Sequence, residues 1–238
     1  METAVTYQNW SQISDRFHIG DESKGAKEVL EWAYHSYPEE QLVYASSFGA
    51  EAIVLIDLIQ QCQPNAHIVF LDTGLHFPET YEVIEKIKAR FPSLRIERKQ
   101  PHLSLDDQAV QFGTALWRRN PNECCHIRKV IPLQEVLSTK LAWISGLRRE
   151  QSPNRAHTEF INKDEKFKNV KICPLIHWTW NDIWEHIRKR DLPYNKLHDQ
   201  QYPSIGCFPC TQPVGNNGDS RAGRWTGSGK TECGLHTR

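Results

Sequence analysis

Two cysteine pairs restrict this chain more than any other feature. Cys124 and Cys125 are adjacent, within NPNECCHIRKVIPL at residues 120–133, and Cys207 and Cys210 follow far downstream in GCFPC. Neighbouring thiols do not close a relaxed disulfide, because consecutive Cα atoms sit about 3.8 Å apart whereas a disulfide prefers roughly 5.5–6 Å. They point instead to a shared outside partner. The C-x-x-C pair lies among Pro and Gly, where a stiff loop aims two sulfurs at one point. Four thiolates suit a zinc ion or an iron–sulfur cluster. Free structural cysteines would explain a lone pair better than two pairs. Arg128 and Lys129, just after the first pair, favour an anionic centre or ligand nearby.

The rest of the chain alternates between two periods. Residues 10–19 and 24–37 carry apolar positions at helical spacing and read as two helices. Leu42, Val43 and Tyr44 then form a short strand, residues 46–50 a turn of small side chains, and helical spacing resumes over 53–59. HIVFL at 67–71 and residues 94–98 are further strands, followed by helices at 79–90 and 105–112, and a fourth strand occupies 141–145. Such alternation predicts an α/β fold, a mostly parallel twisted sheet flanked by helices, with ligands bound beyond the carboxyl ends of the strands. Residues 46–51, 72–74 and 146–149 are expected to converge there. The turn SSFGAE offers backbone N–H groups and the positive end of a helix dipole to an anion; it reads as a nucleotide loop or as an ordinary β–α connection.

His76, His102 and His126 stand at no metal-ligand spacing and read as solvated. The polar stretch from 147 to 168 reads as a loop with Arg155 on a solvated face. Residues 172–176 read as an edge segment, and Thr179 caps a helix whose stripe, Trp180, Ile183, Trp184 and Ile187, faces the core. Cys62 and Cys173 read as buried structural thiols. The chain beyond 206 is loop-rich and Gly-rich, so residues 1–206 are expected to form the α/β nucleotide-binding domain and 207–238 the second cysteine pair with a flexible tail. That tail carries Arg221, Arg224, Cys233 and His236 and reads as a mobile lid, since a thiolate beside Arg and His is a stabilised nucleophile.

Lys plus Arg and Asp plus Glu number 29 each, so the formal net charge is zero. Neither nucleic acid nor an anionic membrane is expected as a partner, and any anion site must be local. No apolar run of about eighteen residues occurs, and METAVTYQNW lacks the basic start and apolar core of a signal peptide, so a cytoplasmic location is expected. Seven cysteines there fit metal binding and thiol chemistry better than a disulfide framework.

SSFGAE, LDTGLHFPETY, CCHIRKVIPL, LPYNKLHDQQYPSIGCFPC and ECGLH stand in that order. With them the chain resembles, nearly end to end, the assimilatory adenylyl-sulfate and phosphoadenylyl-sulfate reductases. The resemblance implies an adenine-nucleotide alpha hydrolase-like fold, a pyrophosphatase-type loop at 46–51, and reduction of an activated sulfate to sulfite. Against the ATP-pyrophosphatase pattern S-G-G-x-D-S, the loop has Phe48 for a Gly, Glu51 for Asp and Ala52 for Ser, and need not hold a full triphosphate. In this family the two cysteine pairs mark the branch that carries a 4Fe-4S cluster and typically uses adenylyl sulfate. Cys124, Cys125, Cys207 and Cys210 are thereby implied as cluster ligands and Cys233 as the nucleophile. Lys129, Arg221, Arg224 and His236 match the family's sulfate and phosphate contacts, and Ser46, Ser47, Gly49 and Glu51 would hold the nucleotide end. Thioredoxin or glutaredoxin is the implied electron donor, and a homo-oligomer the implied state.

The expected chemistry is attack of the Cys233 thiolate on the sulfuryl sulfur, with AMP leaving and an S-sulfonated cysteine formed. An external dithiol would then release sulfite, because no second cysteine is expected near Cys233. Competing readings are the same reaction on 3'-phosphoadenylyl sulfate or on both nucleotides, a tRNA-thiolating enzyme, and a non-catalytic adaptor with structural zinc. Zero net charge counts against the second, and the third leaves Cys233 without a role.

Overall fold

The structure, a computed structural model, describes residues 4–214 and 220–236. In chain order the elements are α1 Ala26–Ser36, β1 Leu42–Ser46, α2 Ala50–Cys62, β2 His67–Leu71, α3 Pro78–Arg90, β3 Arg95–Lys99 and α4 Leu105–Phe112. There follow α5 Leu116–Arg119, α6 Pro121–Cys125, α7 Ile131–Leu137, β4 Ala142–Ile144, β5 Ile161–Asp164, β6 Asn169–Ile172 and α8 Trp180–Lys189. One wider turn of π-helical pitch, His126–Val130, joins α6 to α7.

The central strands are apolar on both faces, as strands covered on two sides must be. Leu42 and Tyr44 of β1, with Ile68 and Phe70 of β2, face a core shared with α1, α2, α3 and α8. The alternate residues Val43, Val69, Leu71 and Trp143 face Leu133 and Leu137 of α7. The strand order is β3-β2-β1-β4-β6-β5, parallel throughout except that β5 runs antiparallel to β6. From β1 the chain steps outward to β2 and β3, then returns to the opposite side at β4. That reversal opens a crevice beyond the carboxyl ends of β1 and β4. At the β3 edge, RIERK leaves charged side chains toward solvent, which discourages pairing with another sheet.

Local signals account for most helix ends. Pro78 opens α3, Thr80, Val83, Ile84 and Ile87 line its buried stripe, and Lys88 and Arg90 close it against the negative end of the dipole. Thr179 and Asp182 form the expected reciprocal cap on α8. Among the described residues, no helix is long and apolar enough to cross a membrane.

Three expectations need correction. Residues 10–19 are not a helix but an extended strap with one short turn, Ser14–Arg16. Ile13 and Phe17 reach the core from it, Phe17 packing edge-on to Trp32 and Phe160, and so short a segment gains too little from a second turn to offset helix nucleation. The stretch read as a loop up to 168 contains β5, and β6 lies inside the sheet between β4 and β5, not at an edge over 172–176. Asp164 hid this hairpin: its buried carboxylate accepts from Trp143 Nε1 at 3.0 Å and from the Lys166 and Phe167 N–H groups at 3.1 Å each. A polar residue so satisfied can occupy a buried strand position.

Ile59 is fully buried on α2, away from the crevice. Ile59→Ala should cost about 2–5 kcal/mol, read as a lower urea midpoint with an unchanged slope.

Candidate active site

A cleft of about 390 Å³ opens at the carboxyl ends of β1 and β4. Ser46, Ser47, Gly49 and Glu51 line it from the β1–α2 turn. Phe48 at the centre of that turn has φ +54°, a left-handed conformation that costs a non-glycine residue about 1–2 kcal/mol. Its ring is buried edge-on against Phe70 at 5.6 Å, and its N–H donates to Ser46 Oγ at 3.2 Å, which together fix the strained turn. Gly49 then caps α2 without a side-chain hydrogen bond, leaving the helix's first N–H groups and positive dipole end beside the cleft. Glu51 lines the cleft, but its Oε1 accepts from Arg148 Nη2 at 3.0 Å and Gln151 Nε2 at 2.8 Å. Burial alone would raise its carboxyl; Arg148 and these donors prevail and hold it below the usual range.

After β4, Gly146, Leu147 and Arg148 reach the cleft as expected, while Arg149 turns away to the Thr158 carbonyl at 2.7 Å. Residues 72–74 do not join it. Asp72 is engaged by Arg98 and by Tyr81 Oη, and Thr73 faces the cysteines instead. His76, read as solvated, lines the cleft: its Nε2 donates to the Leu71 carbonyl at 3.1 Å, its ring packs 4.7 Å from Phe70, and burial with Lys129 nearby pushes its pKa down to about 4.

The tail enters the cleft's other wall. Residues 215–219, the start of the Gly-rich run, lie outside the described residues, but 220–236 are docked, with Trp225 and Glu232 buried. The anchor is Glu232, which accepts from Arg155 Nε at 3.0 Å, Arg155 Nη2 at 2.7 Å, Ser152 Oγ at 2.9 Å and Arg221 Nη2 at 3.3 Å. Arg155 is therefore not on a solvated face. It is buried, 6% exposed, because its partner arrives from a tail distant in sequence.

Beside this anchor lies Cys233. Its thiol group accepts from the Cys125 thiol, so a second cysteine does stand next to it, contrary to expectation. That hydrogen bond favours the Cys233 thiolate, burial opposes it, and Lys129, the Leu235 N–H and Arg224 favour it again; the net direction is well below an ordinary thiol. Burial works against the Lys129 charge, but Cys207, Cys233 and Cys125 around it prevail and hold it protonated. Burial, aided by Arg155, brings Arg221 down to about 10, where it is still a cation. The Arg224 guanidinium lies flat on the chain at Gly206, where an added Cβ would come within 2.2 Å of it, and 4.5 Å over the Trp225 ring. Its Nε is buried without a hydrogen-bond partner among the described residues.

His236 is placed differently from a cation. Burial first, then Lys171, Arg155 and Arg221, hold it well below its ordinary pKa, so it is neutral. Its ring stacks on Trp143, 6.2 Å between centroids, and Nδ1 lies 3.1 Å from Lys171 Nζ. An ammonium only donates, so the imidazole proton sits on Nε2. Sequence reasoning missed Lys171 because it is one more lysine in a polar stretch; only the sheet brings it under the tail.

A second, smaller cavity adjoins the cleft, and Cys124, Cys125, Cys207 and Cys210 all line it. Lys129, Arg224 and Trp225 border both spaces and form the wall between them. Asn120 caps α6 and positions the first pair; an isolated bridge from His76 to Cys207 and the Phe208 N–H to the Leu75 carbonyl at 2.7 Å hold the second. Arg128 pins the π turn to the β2–α3 loop, donating to the Thr73 carbonyl at 2.5 Å and to Gln108 Oε1 at 3.1 Å. Burial, with Cys207 and Cys210 nearby, pushes the Cys124 thiol up to about 11. A donor set of four sulfurs around one cavity fits a thiophilic metal centre. As the side chains stand, no three His, Cys, Asp or Glu groups among the described residues are placed to hold a metal ion, and Cys125 is turned to Cys233.

Fold and site together define a class: a parallel α/β protein with an anion-receptive cleft at its switch point and a thiol in the cleft wall. The phosphoadenosine phosphosulfate reductase domain model matches residues 41–213. The chain is 62% identical over 233 residues to an adenosine 5'-phosphosulfate reductase of Geobacillus kaustophilus, covering 98% of this chain and 99% of that one. It is 59% identical over 234 residues to the protein of the same name from Staphylococcus epidermidis, covering 98% and 96%. Among solved structures, the phosphoadenylyl-sulfate reductase of Candida auris, in a phosphate complex, superposes with a TM-score of 0.68 at 29% identity, over 86% of this chain and 99% of that one. The FMN adenylyltransferase of Candida glabrata shares the fold at 18% identity and a TM-score of 0.59, over 87% of this chain and 69% of that one. The chain belongs to the phosphoadenosine phosphosulfate reductase family.

Breaking the buried Arg155–Glu232 pair by Glu232→Gln should weaken tail docking by about 3–5 kcal/mol, seen as faster hydrogen exchange confined to residues 220–236. Burial raises the Glu232 carboxyl, but Arg155, Arg221 and Ser152 depress it on balance. Its contribution is therefore fully present above the unfolded carboxylate range, about pH 5 and up, and is lost as pH falls through the folded value. Protection of the tail, with exchange corrected for the intrinsic pH dependence of amide exchange, should be flat from neutral pH to about 5 and fall below it; in Glu232→Gln this acid limb should be absent.

Proposed function

We propose that this chain reduces adenylyl sulfate to sulfite and AMP through covalent chemistry at Cys233. One observation carries the reading: Ser46, Ser47, Gly49, Glu51, Lys129, Arg221, Arg224, Cys233 and His236, from motifs scattered over the sequence, all line a single cleft. In that cleft the β1–α2 turn receives the nucleotide end, and the cations cluster around the thiol.

A thiolate approaching a phosphosulfate brings negative charge to negative charge. Lys129, Arg221 and Arg224 offset that repulsion, and Arg224 Nε, without a partner among the described residues, is a donor waiting for an anion. His236 contributes a hydrogen bond from Nε2 and no charge. The Cys233 thiolate attacks the sulfuryl sulfur, the S–O bond to AMP breaks with its electron pair on the phosphate oxygen, and Cys233 becomes an S-sulfonate. A thiolate of an external dithiol, thioredoxin or glutaredoxin, then attacks Cys233 Sγ and releases sulfite. Its second thiol resolves the mixed disulfide, so the dithiol supplies both electrons.

Cys124, Cys125, Cys207 and Cys210 would hold a 4Fe-4S cluster. Bound there, the cluster supplies a sulfur-rich negative wall that orients Lys129 and is not needed as a source of electrons. With Cys125 so engaged, resolution of the adduct falls to the external dithiol. The division between residues 1–206 and 207–238 is then functional: the body holds the nucleotide, and the tail must loosen to present modified Cys233 to the donor.

Cys233→Ser should lower sulfite release by roughly 10³-fold or more while leaving AMP binding intact. Loss of AMP binding together with activity would contradict the division of labour. Protein purified without air should be brown, and a Ser at any of the four cavity cysteines should remove that absorbance and the bound iron. A colourless protein with one equivalent of zinc would overturn the cluster assignment.

A further inference from the structure

Lys171 does not line the cleft, yet one of the cleft's functional side chains rests on it. It lies on β6 directly opposite Trp143 of β4, so the two side chains share one face of the sheet, the face on which the tail lies. The Trp143 indole is fixed there by its N–H, which donates to the buried Asp164 carboxylate at 3.0 Å. Lys171 Nζ sits 4.7 Å over that indole, and the His236 ring stacks on it with an interplanar angle of 5°. Ammonium and imidazole meet at this support, Nζ to Nδ1 at 3.1 Å. The His236 N–H donates to the Cys233 carbonyl at 3.0 Å, so the imidazole stands one turn from the nucleophile.

Lys171 borders an outer cavity on the far side of the tail, whereas His236 borders both that cavity and the cleft. With Nδ1 turned outward to Lys171, the opposite edge of the ring, Nε2, looks into the cleft. Nε2 has no partner among the described residues and is not sealed from solvent. A neutral imidazole carries its proton on either nitrogen, and only one of the two tautomers has a donor at Nε2; the other turns a lone pair toward an incoming anion. An ammonium has donors alone, so it meets Nδ1 only when Nδ1 is bare. Burial lowers the Lys171 pKa, while Cys173, Asp164 and the Trp143 face favour the cation.

We infer that Lys171 is a positioning residue that fixes His236 as its Nε2–H tautomer and aims that donor at the anion in the cleft. The inference rests on the reading of the cleft as a phosphosulfate site and adds to it the group that sets one of its donors. A carboxylate at Nδ1 would take the proton there, leave Nε2 as a base and favour a charged ring; an ammonium does the reverse. The tail is docked elsewhere, by Glu232 on Arg155 and by Lys166 on the Gly234 carbonyl, so Lys171 is not needed to hold it.

The test compares wild type, Lys171→Met, which removes the donor at similar length, and Lys171→Arg, which restores one, in protein prepared without air. Nitrogen-15 shifts of the His236 ring read the tautomer and need no turnover. Wild type and Lys171→Arg should show a protonated Nε2 and a bare Nδ1, and Lys171→Met a mixture of both forms, with hydrogen exchange over 220–236 unchanged. On adenylyl sulfate, Lys171→Met should lose about tenfold in kcat, the worth of one hydrogen bond, with KM little altered and Lys171→Arg recovering most of the loss. In a His236→Ala background Lys171→Met should cost nothing further. A Lys171→Met protein that keeps the pure Nε2–H form would overturn the inference, as would a loss that adds in full to that of His236→Ala or one accompanied by an undocked tail. A tautomer that depends on Lys171, in a protein that turns over neither adenylyl sulfate nor its 3'-phosphorylated form, would support the role of Lys171 while overturning the reductase reading.

Discussion

Everything in the cleft depends on holding positive charge out of water next to a thiolate. Cations so placed need compensation, and the structure provides it in two ways. Glu232 pairs with Arg155 and Arg221 on one side, and the Cys233 thiolate, with Cys207 and Cys125, faces Lys129 on the other. The first arrangement docks the tail, and the second ties the nucleophile to the cysteine cavity. A buried ion pair contributes little net stability over an apolar contact of the same size, but losing one partner is costly. The pairing therefore acts less as a source of stability than as a fix on where the catalytic tail lies.

The wall made by Lys129, Arg224 and Trp225 gives the two cavities a common boundary. The π turn is what puts Lys129 there: it inserts between α6, which ends in Cys124 and Cys125, and α7, which is locked into the apolar cluster under β1 and β2. Widened helical turns of this kind are rare and favour functional positions. Any centre the four sulfurs held would act electrostatically on Lys129, which also lines the cleft.

Much of the fold was legible because buried parallel strands need continuous apolar runs, and LVYAS and HIVFL provide them. The switch-point cleft followed from alternation alone. The β5–β6 hairpin was not legible, because its central acid, Asp164, is satisfied by an indole N–H from another strand. The same limit hid the anchor: Arg155 and Glu232 are 77 residues apart, and each alone is an ordinary surface residue type. At the site, residue types foretold the cleft but not the charge states. Burial, with Lys171, Arg155, Arg221 and Lys129 around it, keeps His236 neutral, and Glu51 spends its Oε1 on Arg148 and Gln151. Pairings made in three dimensions decide such states, and sequence spacing does not record them.

The central claim is that Cys233 takes the sulfuryl group directly from the nucleotide. Its most direct test is an incubation of the protein, prepared without air, with adenylyl sulfate and no dithiol, followed by intact mass and a peptide map. The account predicts a gain of one SO₃ on the peptide carrying Cys233, with AMP released in equal amount. Release of AMP without an adduct, or an adduct on any other cysteine, would contradict it.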